Sequence, residues 1–242
     1  YRACCARGAG MKALIFDCDG VLVDSEALAE ETLETHLGQW LPDLDIPTLL
    51  SQALGMTTAD ILKHLAQLSR HQLPPDASER VDSAIEARLA RELTAIAGVH
   101  DAVSSLDLPK AVVSNSRRCR VLASLATTQL EEALGDVPIF TAEQVDNPKP
   151  DPAIYRLAAH ELGCPPSRCL VVEDSVAGVT AAHAAGMRVI GFVGASHIDD
   201  EQPNRLLAAG AWRILPHMRG LRALVDEWQL HLQGQDNNET AQ

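Results

Sequence analysis

The chain has 242 residues, 46% of them hydrophobic and 22% charged, with a formal net charge of −13 at pH 7. That length suits one large domain or two small ones, and the charge disfavours nucleic acid or an anionic membrane surface, which would repel it. No stretch approaches the run of about eighteen apolar residues that a membrane span needs, so a cytoplasmic protein is expected. The six cysteines show no Cys-x-x-Cys or zinc-finger spacing, and free thiols in a reducing compartment are the corresponding expectation.

In chain order, Tyr1–Gly10 has no apolar core of a signal peptide and precedes Met11. It is read as an upstream extension or cloning scar and set aside. A short apolar run, Lys12–Phe16, predicts the first strand. From Ser25 to Ala97 no strand is evident, only helical periodicity. Leu28, Leu33, Leu37 and Trp40 make one stripe, Ile61, Leu62, Leu65 and Leu68 a second, and Val81, Ile85, Leu89, Leu93 and Ile96 a third. Asp76 with Glu79 predicts a capping box ahead of the third helix. Further strands are expected at Lys110–Val113, Pro138–Phe140, Cys169–Val172, Arg188–Phe192 and Arg213–Leu215. Between them, Asp151 with Pro152 starts a helix that Gly163 stops, and Ser175 opens another that Gly186 closes. Alternating strand and helix predicts an α/β fold, a doubly wound, Rossmann-like parallel sheet. The expected organisation is a core of residues 11–24 and 98–232, an inserted all-helical cap over 25–97, and a frayed polar tail, 233–242.

The chemistry gathers at the predicted strand ends, where open parallel sheets bind ligands. Asp17 and Asp19 follow the first strand, and two carboxylates that close need a cation or a shared proton between them. A hard divalent ion such as Mg²⁺, which takes oxygen ligands, would supply that charge. Glu173 and Asp174 follow another strand in the same way. Ser114, before Asn115, offers a hydroxyl and a nearby helix start to an anion. Lys149 sits between Pro148 and Pro150, whose fixed backbone could aim its ammonium. Singly, each is an ordinary loop, cap or surface residue. Four compatible features in one sheet point to a metal site that handles phosphate.

These pieces resemble the haloacid dehalogenase-like hydrolase superfamily, in the group of β-phosphoglucomutase and small sugar-phosphate phosphatases. Asp17-Cys18-Asp19-Gly20-Val21 is similar to its first motif, Ser114-Asn115 to the second, and Lys149-Pro150-Asp151-Pro152 to the third. Val172 to Gly178 resembles the fourth. The resemblance implies a Mg²⁺-dependent phosphatase acting on a small phosphate ester, such as a sugar or sugar-acid monophosphate. Asp17 would be the nucleophile, forming an aspartyl-phosphate, and Asp19 the general acid and then base. Asp17, the Asp19 carbonyl and Asp174 would hold the metal, with Glu173 acting through a bound water. Ser114 and Lys149 would grip the phosphoryl group, with Asn115 and Arg117 near the same anion. The helical insert is similar to the family's cap, whose loop around Gly55, Met56 and Thr57 would meet the leaving group.

Three rivals remain at this level. A dehalogenase would not need Asp19 or Asp174. A phospho-receiver domain would place an aspartate where this chain has Ser114. A phosphosugar mutase would need cap cations for a second phosphate. Here Leu54–Asp60 has none, and Ala29 stands where β-phosphoglucomutase has a histidine. His36, His64, His71, His160 and His183 show no metal-binding spacing.

Overall fold

The computed structural model describes residues 11–52 and 58–240. The chain divides into two compact units, one of them Ser25–Leu93 and the other made by the segments on either side.

The flanking segments build a six-stranded sheet in the order β3-β2-β1-β4-β5-β6. Its strands are β1 (Ala13–Phe16), β2 (Lys110–Ser114), β3 (Ile139–Thr141), β4 (Cys169–Glu173), β5 (Arg188–Phe192) and β6 (Arg213–Leu215), and every adjacent pair is parallel. β1 and β4 are buried along their whole length, which is why they read as continuous apolar runs rather than alternating ones. Ala13, Ile15, Ala111, Val113 and Val171 join one hydrophobic cluster with Ile154, Ala158, Val179 and Leu206. Leu14, Phe16, Val112, Leu170 and Val172 point to the opposite face and are equally buried.

The helical unit contains α1 (Glu26–Trp40), α2 (Ile46–Gln52), α3 (Thr58–Leu68) and α4 (Ala77–Glu92). Leu33, Leu37, Ile61, Leu62, Leu65, Val81, Ile85 and Leu89 are buried as their spacing predicts, whereas Leu68 is exposed. Arg88 clasps α4 to α1, with Nη2 2.6 Å from Glu31 and Nε 3.0 Å from Glu92.

The remaining helices are α5 (Val99–Ser105), α6 (Arg118–Thr127), α7 (Leu130–Leu134), α8 (Ala153–Glu161), α9 (Val176–Ala184), α10 (Gln202–Ala209) and α11 (Leu221–Thr240). Among the described residues no helix is long and apolar enough to cross a membrane.

The structure differs from the sequence reading at several ends. The Asp76–Glu79 capping box does not form. Asp76, at φ −102° and ψ 21°, is outside the extended conformation that a capping side chain requires, and its side chain makes no capping bond. Ile96 is not helical. The Ile96 N–H donates to the Leu22 carbonyl and the Asp24 N–H to Thr94, so residues 94–96 pair with the chain leaving β1. The helix after Asp151 begins at Ala153, whose N–H the Asp151 carboxylate accepts at 2.9 Å. The polar segment expected to fray instead continues α11 to Thr240, with Asp236 paired to Arg168.

The fully buried centre of the sheet makes a direct stability test. Ile15→Ala should cost about 2–5 kcal/mol through the cavity it leaves, read from urea unfolding of the two proteins; a loss under about 1 kcal/mol would show that the site collapses or is solvated.

Candidate active site

Register delivers the acidic groups to one place. Phe16 lies opposite Val172 and Val112, so Asp17, Glu173 and Ser114 emerge at the carboxyl ends of the three central strands. β1 lies between β2 and β4, the switch point of the sheet. The Asp17 N–H still donates to the Val172 carbonyl at 3.0 Å, holding Asp17 on the strand line. Beyond it the chain turns sharply. The Cys18 carbonyl accepts from Leu22 at 2.9 Å and Val23 at 3.1 Å, while Gly20 N–H reaches Val23 at 2.8 Å.

Lys149 is the centre of the cluster. Its Nζ donates to Asp17 Oδ1 and to Glu173 Oε1, both at 2.6 Å, and to the Val113 carbonyl at 3.2 Å. It also lies 5.2 Å from the centre of the Tyr155 ring. The Tyr155 hydroxyl donates to Glu173 Oε1 at 2.7 Å, and Ser175 supplies its N–H and Oγ to Glu173 Oε2 at 3.2 and 3.0 Å. Ser175 Oγ in turn accepts from Gly178 N–H, capping α9. Asn115 fixes the Lys149 backbone from both sides: its Oδ1 accepts from the Lys149 N–H at 3.0 Å and its Nδ2 donates to the Lys149 carbonyl at 3.2 Å.

Two glycines make this density possible. A Cβ on Gly178 would sit 1.8 Å from Glu173 Oε1, and one on Gly20, whose φ is +76°, would sit 1.8 Å from Asp174 Oδ2. No larger residue fits either position with the carboxylates where they are.

The charges do not balance. Ligand oxygens of Asp17, Glu173 and Asp174 lie within 4.8 Å of one another, and these residues are 7%, 0% and 4% exposed against a single lysine, 7% exposed. Burial pushes the Asp17 carboxyl well up; Lys149 opposes this, and Glu173, Asp174 and Asp19 add to it. Burial likewise raises Asp174, with His197 opposing through its contact, Nε2 to Oδ2 at 3.3 Å. Burial disfavours the Lys149 charge too, but Asp17 and Glu173 overrule it and hold the ammonium well above its usual range. The lysine stays charged and the carboxylates still lack positive charge. An all-oxygen donor set with that deficit suits a hard divalent cation.

Asp19 is held apart from this cluster. Its Oδ2 accepts from Ser116 Oγ at 2.7 Å and from Ser114 Oγ at 3.3 Å, and an Arg120 Nη lies 3.8 Å from its Oδ1. Arg117, exposed, precedes the first residue of α6. Gly55, Met56 and Thr57 lie outside the described residues.

The structure thus brings together Asp17, Asp19, Ser114, Asn115, Lys149, Glu173 and Asp174. The sequence reading missed Ser116, Arg120, Tyr155, Ser175 and His197. Ser116 and Arg120 are two and six residues past Ser114, and the helical phase of α6 was the available signal. His197 comes from a loop after β5 that carried none.

The haloacid dehalogenase-like hydrolase model matches residues 14–192. The chain is 30% identical over 188 residues to the 6-phosphogluconate phosphatase of Escherichia coli, covering 77% of this chain and 85% of that one. It is 35% identical, with a TM-score of 0.82, to the crystal structure of a haloacid dehalogenase-like protein of Agrobacterium tumefaciens, covering 90% of this chain and 99% of that one. A hydrolase structure from Deinococcus radiodurans with bound phosphate and sodium is 32% identical, TM-score 0.77, over 91% and 97% of the two chains. With four motifs in place on a matching sheet, this chain belongs to the haloacid dehalogenase-like hydrolase family and is a phosphoric monoester hydrolase.

Proposed function

We propose that the protein is a Mg²⁺-dependent phosphatase that hydrolyses a sugar or sugar-acid monophosphate through an aspartyl-phosphate on Asp17. The observation that carries this reading is the buried, charge-deficient cluster of three carboxylates around Lys149 at the sheet's switch point. Its similarity to a 6-phosphogluconate phosphatase, and to a hydrolase structure with bound phosphate, supports phosphate as the anion and 6-phosphogluconate as the first substrate to try.

In this reading Asp17 attacks phosphorus and the phosphorus–oxygen bond to the sugar breaks, splitting one displacement into two easier ones. Asp19 gives a proton to the departing alkoxide, then takes one from the water that attacks the aspartyl-phosphate. Ser114 and Lys149 hold the phosphoryl oxygens where their charge develops. Asp17, the Asp19 carbonyl and Asp174 would hold Mg²⁺, which when bound offsets the negative charge of both the site and the phosphoryl group. Both Glu173 oxygens already accept protein hydrogen bonds, which fits a role through a bound water rather than as a direct ligand.

Four outcomes are expected. Asp17→Asn should lower phosphate release by more than about 10⁴-fold with the fold retained; activity within about tenfold of wild type removes Asp17 as nucleophile. A chelator should stop turnover and Mg²⁺ restore it, and full activity in chelator would show that the cluster does not work through a metal. Lys149→Met should cost about 3–5 kcal/mol of unfolding free energy in chelator, because it strands buried carboxylates, with part of the loss recovered on adding Mg²⁺. Finally, β-glucose 1-phosphate with a bisphosphate primer should give no glucose 6-phosphate by phosphorus NMR, since Gly55–Asp60 carries no cation for a second phosphate. Glucose 6-phosphate forming faster than free phosphate would identify a mutase instead.

A further inference from the structure

We propose that Arg120 and Ser116 are positioning residues that aim the Asp19 carboxylate for proton transfer. This rests on the reading of Asp19 as the acid and base of the reaction.

The first observation is how Asp19 is gripped. It stands on a turn rather than a strand, two residues beyond the last residue that β4 holds by a hydrogen bond. A carboxylate in that place has rotamer freedom unless side chains remove it. Ser116 Oγ and Ser114 Oγ both donate to Oδ2, at 2.7 and 3.3 Å, and the Arg120 guanidinium flanks Oδ1 at 3.8 Å. Two hydroxyls thus fix Oδ2, and Arg120 stands beside Oδ1. A proton carrier must lie within hydrogen-bond reach of the leaving oxygen, and misplacement by about an ångström is costly.

The second observation is that Arg120 is poorly used for stability. Its side chain is three-quarters buried, and its buried Nε has no hydrogen-bond partner among the described residues. An arginine kept for packing or for a structural ion pair normally has its donors satisfied. Here a buried donor goes unpaired while another nitrogen of the same group faces Asp19. Ser116 is tied into the same unit, because its N–H donates to Ser114 Oγ at 3.0 Å. The loop after β2 and the first turn of α6 therefore form one bracket around Asp19, and neither residue touches Asp17, Lys149 or Glu173 through any of these bonds.

The experiment separates aiming from general support by varying the leaving group. p-Nitrophenolate departs readily without a proton, whereas phenolate gains much more from one. Both esters are generic, so the test does not depend on the natural substrate. We expect Arg120→Ala and Ser116→Ala each to lower kcat/KM for phenyl phosphate by about 10²-fold but for p-nitrophenyl phosphate by less than about tenfold. Arg120→Lys should fall between wild type and Arg120→Ala, and added guanidinium should restore the phenyl phosphate arm of Arg120→Ala. Asp19→Asn is the reference, and should show the same discrimination more strongly. Equal losses for the two esters, or no loss for either, overturn the proposal when Asp19→Asn does discriminate. If Asp19→Asn itself fails to discriminate, the acid reading of Asp19 falls and this proposal with it. Should Arg120→Ala fold poorly, Arg120→Lys and Ser116→Ala carry the same comparison.

Discussion

Everything at this site depends on one buried ammonium. Lys149 bridges Asp17 and Glu173 at 2.6 Å each and lies under the ring of Tyr155. Removing charges from water is costly, and a buried pair holds only if its remaining polar atoms find partners. Here they do: Ser175 and Tyr155 complete Glu173, the Val113 carbonyl takes a further Lys149 proton, and Asn115 clamps the Lys149 backbone. The network is satisfied in hydrogen bonds and unsatisfied in charge. A deficit of positive charge among buried carboxylates is the state expected of a site that takes up a cation.

The topology explains why so much chemistry converges. A parallel sheet aligns all its carboxyl ends on one edge, and the order β3-β2-β1-β4-β5-β6 makes the first strand central. Segments remote in sequence then meet: Asp17 from β1 and Glu173 from β4 share one level, Ser114 from β2 stands one residue beyond it, and Lys149 enters from the loop before α8. The apolar strands behind them anchor these side chains. Fully buried strands cannot slip in register without moving every residue to the wrong face, so the spacing between Asp17 and Glu173 is as rigid as the core.

The sheet was legible from sequence because each strand is a short, continuous apolar run between turn residues. The helical block was legible from its period, as Leu33, Leu37, Leu65, Val81, Ile85 and Leu89 show by their burial. The strand-end carboxylates were legible because charges do not ordinarily terminate buried strands. What stayed hidden depended on contacts made at long range. Nothing local marks Tyr155 as the donor to Glu173 or His197 as a neighbour of Asp174; both act across segments that only the fold brings together. The Asp76 cap failed for a local reason, because Asp76 sits at φ −102° and ψ 21°, outside the extended backbone that a capping side chain needs. The polar end read as frayed because its composition lacks an apolar face, whereas the Arg168–Asp236 pair gives α11 an anchor outside its own sequence.

The two aspartates of the first motif show how one residue of spacing can separate surroundings. Asp17 remains on the strand line, its backbone bonded to β4 and its carboxylate against an ammonium and two other acids. Asp19 stands on the turn, just before the positive φ of Gly20, facing hydroxyls and an arginine instead. A carboxylate pinned among charges suits attack and metal binding, while one held chiefly by hydroxyls, with the arginine farther off at 3.8 Å, suits carrying a proton. Gly20 joins the two environments: it supplies the positive φ that turns the chain away, and its missing side chain leaves the space that Asp174 occupies. A side chain there would push Asp174 out of the cluster and strain the turn that sets Asp19, so the proposed nucleophile, proton carrier and metal ligand all depend on the same absent Cβ.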